Sequence, residues 1–128
     1  MLDFEFEFDR NNYHINDCIN GKVKFNFIKL IIKILEIQII RKEFLVSSEN
    51  VVTNLEVLGK FEIMDGTPKQ NDIIPIIMYL KPYDLTPTYT CVNNRFSVKY
   101  YLNLLLIDSK GQPYFKQKEI VLWRKKIK

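Results

Sequence analysis

Glycine is scarce in this chain, at 4 residues, and proline at 5. That excludes low-complexity linkers. Histidine occurs once, as His14, and cysteine twice, as Cys18 and Cys91. Zinc takes three or four His or Cys ligands in one place, and three scattered residues do not supply them. A Cys–His nucleophile would need an orienting third group and an oxyanion hole, and nothing marks either. His14 lies beside Tyr13 in a turn-rich stretch, so it reads as structural. Dinucleotide, Walker and zinc-protease motifs are missing. Glu5 and Glu7 share one strand face with apolar residues opposite, so they read as solvated surface. The expectation is a non-enzyme with no cofactor and no metal.

Long apolar runs are missing too. The stretch IIKILEIQII is interrupted by Lys33, Glu36 and Gln38, and a bilayer span needs about 20 residues. No signal-peptide pattern and no N-x-[ST] sequon occurs. Antibody-type domains place a core tryptophan between two bridged cysteines. Here Trp123 follows both cysteines. Reduced thiols and a cytosolic setting are therefore expected.

What the chain does have is strand material. It is 128 residues long with 47% hydrophobic and 27% charged residues, which suits one globular domain. The net charge is +4, with Arg124, Lys125, Lys126 and Lys128 clustered at the end. Such a tail reads as a solvated chain end, or alternatively as a phosphate or anionic-membrane contact.

Residues 2–9 alternate strictly: Leu2, Phe4, Phe6 and Phe8 against Asp3, Glu5, Glu7 and Asp9. This is a half-buried strand. Residues 11–21 predict turns around a short strand. Residues 21–27 predict a strand with Val23, Phe25 and Phe27 inward. Most of 28–44 reads as a strand because β-branched Ile disfavours helix. Residues 45–54 read as a polar loop, and 54–63 as a strand with Gly59 a possible bulge. Pro75 makes 73–80 an edge or irregular strand. Residues 95–108 and 114–125 are two strands joined by a hairpin turn with Gly111 in the left-handed region. Seven to nine strands with almost no helix predict an antiparallel β-sandwich, or failing that a barrel.

The sequence FEIMDG raises a question. Ile63 and Met64 stand directly before Asp65-Gly66, a strong turn signal. They either end a strand pointing inward or stand out for a partner. Phe115 is similarly open between a core place and a surface one. A basic β-domain could also stack nucleic-acid bases on Tyr100, Tyr101, Tyr114 and Phe115. Interleaved acidic residues and the lack of a Lys/Arg-lined strand argue against that. From the residues alone, the chain is a β-sandwich interaction module.

The stretches FEIMDGTP, YDLTPT, RFSVKYYLNLLLID and YFKQKEIVLWRK, with the opening FEFEFDRNNYHINDCINGKVKF, carry more than composition. They resemble the C-terminal half of the arrestin-like retromer subunit, the vacuolar protein sorting-associated protein 26 family. The resemblance runs from Phe4 to Lys125 and is weakest over 44–58. It implies an all-β, immunoglobulin-like sandwich of the arrestin C-terminal-domain type over residues 1–128. The first arrestin-like domain and the polar C-terminal tail would be absent. It implies a peripheral, non-enzymatic coat subunit on the cytosolic face of endosomes, serving retrieval to the Golgi or plasma membrane. Implied partners are a helical-solenoid retromer subunit, a sorting nexin and the cytosolic tails of transmembrane cargo, with no nucleic acid. The implied docking residues are Ile63, Met64, Asp65 and Gly66. The implied cargo residues are Phe115 and Tyr114. An adaptor of a sister recycling complex is the neighbouring alternative.

Overall fold

Alternation divides the strands into two layers. In the computed structural model, residues 2–29, 31–46, 51–64, 67–83, 85–90 and 96–123 are described. Strand β1 (Leu2–Phe8) pairs antiparallel with β3 (Cys18–Ile28), and β3 with β6 (Ile73–Tyr79). This three-stranded sheet has the order β1-β3-β6. The second sheet has β2 (Asn12–His14), β4 (Ile32–Val46), β5 (Val51–Met64), β8 (Phe96–Asp108) and β9 (Pro113–Trp123), in the order β2-β9-β8-β4-β5. The short β7 (Tyr89–Thr90) joins it by pairing with β8. A single 3-10 turn, Lys81–Tyr83, is the helical content among the described residues. Two separate sheets make this a sandwich and exclude the closed barrel. Pairing is antiparallel except for the three-residue contact of β2 with β9, which is parallel.

The inward faces meet as the alternation requires. Phe4, Phe6, Val23, Phe25, Ile76 and Met78 of one sheet are buried against residues such as Leu35, Ile37, Leu102 and Leu104 of the other. Each fully buried side chain of this size contributes roughly 1.5–3 kcal/mol. Proline 75 sits in β6, an edge strand, where a missing N–H is tolerated. Gly111 has φ of 84° in the β8–β9 turn, the left-handed conformation expected of it.

Two expectations need correction. Phe27 does not continue the inward row of Val23 and Phe25. The register shifts by one between Asp3 and Phe4, so Phe27 lies across from outward-facing Asp3 and is only half-buried. A one-residue bulge moves the following side chain to the other face. Within the expected loop 45–54, residues 45–46 and 51–54 are strand. Leu45 pairs with Val52 and Val46 with Val51, so β4 and β5 run on as a hairpin arm. Three valines and a leucine favour the pleat more than their exposed setting suggests. Residues 47–50 of that segment lie outside the described residues.

The expected irregularity near Gly59 is present. Ile39 pairs with Gly59 and Ile40 with Val57, leaving Leu58 as the extra residue. A Cβ on Gly59 would lie 2.5 Å from the Tyr83 ring. That ring stands edge-on to Phe61, with centroids 5.7 Å apart.

Candidate functional site

Of the sequence-predicted site residues, Ile63, Met64, Tyr114 and Phe115 occupy one end of the six-stranded sheet. Met64 pairs with Leu35, Leu35 with Leu106, and Leu106 with Tyr114. One transverse row thus links the end of β5 to the start of β9. With strands about 4.8 Å apart, the two backbones lie roughly 14 Å from each other. The two candidate groups are therefore separate patches on opposite margins of one sheet end.

On the β5 side, Ile63 is half-buried and packs against the hydrophobic core. Part of its surface is consequently committed to the fold. Asp65 and Gly66 lie outside the described residues. On the β9 side, Tyr114 and Phe115 point to opposite faces, as successive strand residues must. Phe115 is 67% exposed, which excludes a core role. Tyr114 is half-buried against the core, and its hydroxyl donates to Asp108 Oδ2 at 3.4 Å. Burial, together with the nearby Asp108 carboxylate and that hydrogen bond, raises the Tyr114 pKa above its usual value.

Asp108 organises the turn that delivers this pair. Its Oδ1 accepts the N–H of Lys110 at 2.9 Å and of Gln112 at 2.8 Å. Gly111 N donates to its backbone oxygen at 3.0 Å. Sequence reasoning placed the turn but not this carboxylate clamp. The signal was available, because Asp at a turn start commonly binds backbone two residues on.

The edge of β9 is the most distinctive feature. It pairs with β8 from Pro113 to Ile120, but with β2 only from Val121 to Trp123. Among the described residues no strand covers the outer side of 113–119. Lys116 and Lys118 fall in phase with buried Ile120 and Leu122, so they reach toward the gap between the sheets. The Lys116 ammonium donates to the Phe4 backbone oxygen and lies 4.6 Å from the Phe4 ring centre. Lys118 lies 6.0 Å from the Phe8 ring centre. Beyond them a cleft of about 400 Å³ opens between Phe8, Arg10, Asn11, Lys118, Glu119 and Ile120. An extended segment laid along this edge would meet free backbone groups, an exposed phenyl ring and two ammoniums.

The base-stacking alternative loses its platform. Tyr100 is fully buried, and its hydroxyl is 2.9 Å from Thr86 Oγ1. Tyr101 and Phe115 face one side of the sheet while Tyr100 and Tyr114 face the other. His14 is structural: its Nδ1 accepts the Asn16 N–H at 3.1 Å, and its ring stands edge-on to Trp123 at 4.8 Å. Cys18 is a half-buried free thiol. Cys91 and the basic end, 124–128, lie outside the described residues.

Comparison with known proteins agrees with this architecture. The family described as Vacuolar protein sorting-associated protein 26 matches residues 1–111. The Plasmodium falciparum protein of that description is 47% identical over 126 residues, covering 98% of this chain and 42% of the relative. The Dictyostelium discoideum protein is 48% identical over 126 residues, covering 98% and 36%. Human Vacuolar protein sorting-associated protein 26B is 47% identical over 124 residues, covering 97% and 37%. The chain thus spans well under half the length of these relatives. The crystal structure of Spo0M, a sporulation control protein from Bacillus subtilis, superposes with a TM-score of 0.75 at 14% identity. That likeness covers 94% of this chain and 49% of the other, and it concerns the fold alone.

Proposed function

Because the chain belongs to the vacuolar protein sorting-associated protein 26 family, we propose that it works as the second β-sandwich of a non-enzymatic endosomal sorting subunit. Its task is to hold partners together, not to transform a substrate. The β5 end, with Ile63, Met64, Asp65 and Gly66, docks on the helical-solenoid subunit of retromer. The β9 edge, with Tyr114 and Phe115, receives the extended cytosolic tail of a transmembrane cargo together with a sorting nexin. The assembly lies on the cytosolic face of endosomes and returns cargo to the Golgi or the plasma membrane. Nucleic acid plays no part.

The observation that carries this reading is the outer edge of β9, unpaired among the described residues, beside a 67% exposed Phe115. Extended peptides commonly bind by adding a strand to such an edge: main-chain hydrogen bonds supply affinity and side-chain pockets the selectivity. The no-enzyme reading is supported by the sequence, where the only histidine packs on Trp123.

The docking half is tested by titrating the solenoid subunit into wild type, Met64→Asn and Ile63→Asp, with a thermal melt of each. Truncating a buried interface anchor typically costs about 2 kcal/mol, a loss of roughly thirtyfold in affinity. Met64→Asn should show that loss of affinity. Ile63→Asp should lose both binding and stability, because Ile63 also packs on the core. Native affinity in both variants would refute the assignment. The cargo half is tested by Phe115→Ala in the full-length protein, which should stay folded and bind cargo tails at least tenfold more weakly. Normal tail binding would remove Phe115 from the site.

A further inference from the structure

Exposed strand edges invite association, and proteins guard them with prolines, bulges, or charges that point inward. Among the described residues, three of the four open edges are guarded or already assigned. The edge of β6 contains Pro75, which has no N–H to offer. The Phe4 carbonyl of β1 is occupied by the Lys116 ammonium, and the edge of β9 is the one proposed above for the cargo tail. The fourth edge is different. Over Val51–Val57, β5 pairs with β4 on one side and with no strand on the other among the described residues. This segment reads VVTNLEV. It has no proline, no glycine and no bulge, and its one charged residue, Glu56, is ion-paired with Arg41 on β4. Its apolar residues are exposed on both faces: Val51 and Leu55 on one, Val52 on the other.

We propose that this edge pairs with the same edge of a second copy, antiparallel about a two-fold axis at Asn54. The geometry is self-complementary. Asn54 meets Asn54 of the copy, where each amide can donate and accept. Thr53 meets Leu55, Val51 meets Val57, and Val52 meets Glu56. Side chains of directly opposed residues contact one another in antiparallel pairs, and like charges there are destabilising. In this register no like charges oppose each other. The run Val51–Leu55 carries no charge at all, so a strongly acidic or basic foreign strand would find nothing to match. The contact is one strand wide, below the area of a standard stable interface, so a concentration-dependent monomer–dimer equilibrium is expected.

Sedimentation velocity of the chain alone, over a concentration series from about 10 to 500 μM, reads it. Wild type should shift from monomer toward dimer across the series. Asn54 is exposed, so Asn54→Lys and Asn54→Glu should fold normally. Each should remain monomeric, because like charges would meet at the axis. An equimolar mixture of the two should recover the dimer, since opposite charges then meet. A wild type that stays monomeric throughout would overturn the proposal. So would single variants that dimerise as wild type does, or a mixture that fails to recover. Purified solenoid subunit is absent from these measurements, so the outcome is independent of the docking assignment.

Discussion

The same two strands, β4 and β5, behave differently at their two ends. At one end Leu35 and Ile37 are about 1% exposed, and Phe61 and Ile63 of β5 pack on the core beside them. At the other end Leu45, Val46, Val51 and Val52 are between 36% and 64% exposed. Pairing continues without a break from one end to the other apart from two register shifts. Residue type does not separate the ends either, since both are rich in Ile, Leu and Val. What separates them is the three-stranded sheet: the first end is buried in the core shared with it, and the arm is not. Hydrogen bonding and hydrophobic burial are thus two different requirements, and the arm satisfies only the first.

The sharpest way to break that contrast is a pair of truncations. Leu104 is fully buried beneath the three-stranded sheet. Leu104→Ala should lower the unfolding free energy by about 3 kcal/mol, the usual cost of lost transfer energy plus a cavity. Val52→Ala in the arm should change it by less than about 0.5 kcal/mol. Urea melts of both variants read the difference. Similar losses would show that the arm is covered after all.

The covered region should also answer to alkali. Tyr13 is fully buried and donates to Asp9 Oδ1 at 2.6 Å. Burial first, and then the Asp9 hydrogen bond, push its pKa up to about 12. The unfolded chain loses this proton near pH 10 and the folded chain only near 12. Between these values the unfolded state holds fewer protons, so stability falls as pH rises. The full contribution is present below pH 10. The loss is on the order of 2–3 kcal/mol by pH 12. Tyr13→Phe should flatten that decline in melts taken at pH 9 to 12. An unchanged slope would exclude Tyr13 as its source.

Gly59 marks the border between the two regimes. Residues 51–57 are exposed, while Leu58 and Phe61 are half-buried. Gly59→Val improves strand propensity, an effect of up to about 1 kcal/mol. Against this, the new Cβ would lie 2.5 Å from a Tyr83 ring held on Phe61. Moving the ring forfeits that contact, so the net change should be a destabilisation of about 1–3 kcal/mol. Tyr83→Ser in the same chain should restore part of the loss. A stable Gly59→Val with no need for the second change would mean the ring is free to move.

Much of the fold was legible in the sequence, for reasons that can be named. Strict alternation in residues 2–8 and the Asp-Ser-Lys-Gly turn are local signals, and both appear as expected. The inward residues of β8 follow from period two. Phe27 and the arm were misread because each depends on something distant. Phe27 turns outward through a bulge whose cause lies in the pairing with β1. In the sequence, polar Ser47, Ser48 and Glu49 lie near the valines of the arm, a pattern that fits a loop unless the partner strand is known. The candidate site residues were named only through resemblance. No local pattern reveals that the outer edge of 113–119 lacks a strand among the described residues, because an open edge is a property of the whole sheet. The inward lysines were readable in principle, since Lys116 and Lys118 are in phase with Ile120.

The smallest effect is the most telling one for the arm. Among the described residues, β5 from Val51 to Val57 has a partner strand only in β4, and its side chains shield its amides little. Local opening there disrupts few buried contacts, so its free energy should be near the low end for the molecule. Amides of β8 between Leu102 and Leu106 sit in a central strand with fully buried side chains. Native-state hydrogen exchange in dilute solution should therefore find the arm exchanging through local opening while the β8 amides exchange only on global unfolding. Leu55→Ser, at a 54% exposed position, should leave the melting curve within about 0.5 kcal/mol of wild type and the β8 amides untouched. Raising the protein concentration should then slow exchange in residues 51–57 selectively if a second copy covers that edge. If Leu55→Ser lowers global stability by as much as Leu104→Ala does, the arm belongs to the cooperative core, and the distinction between paired and buried strand ends fails for this fold.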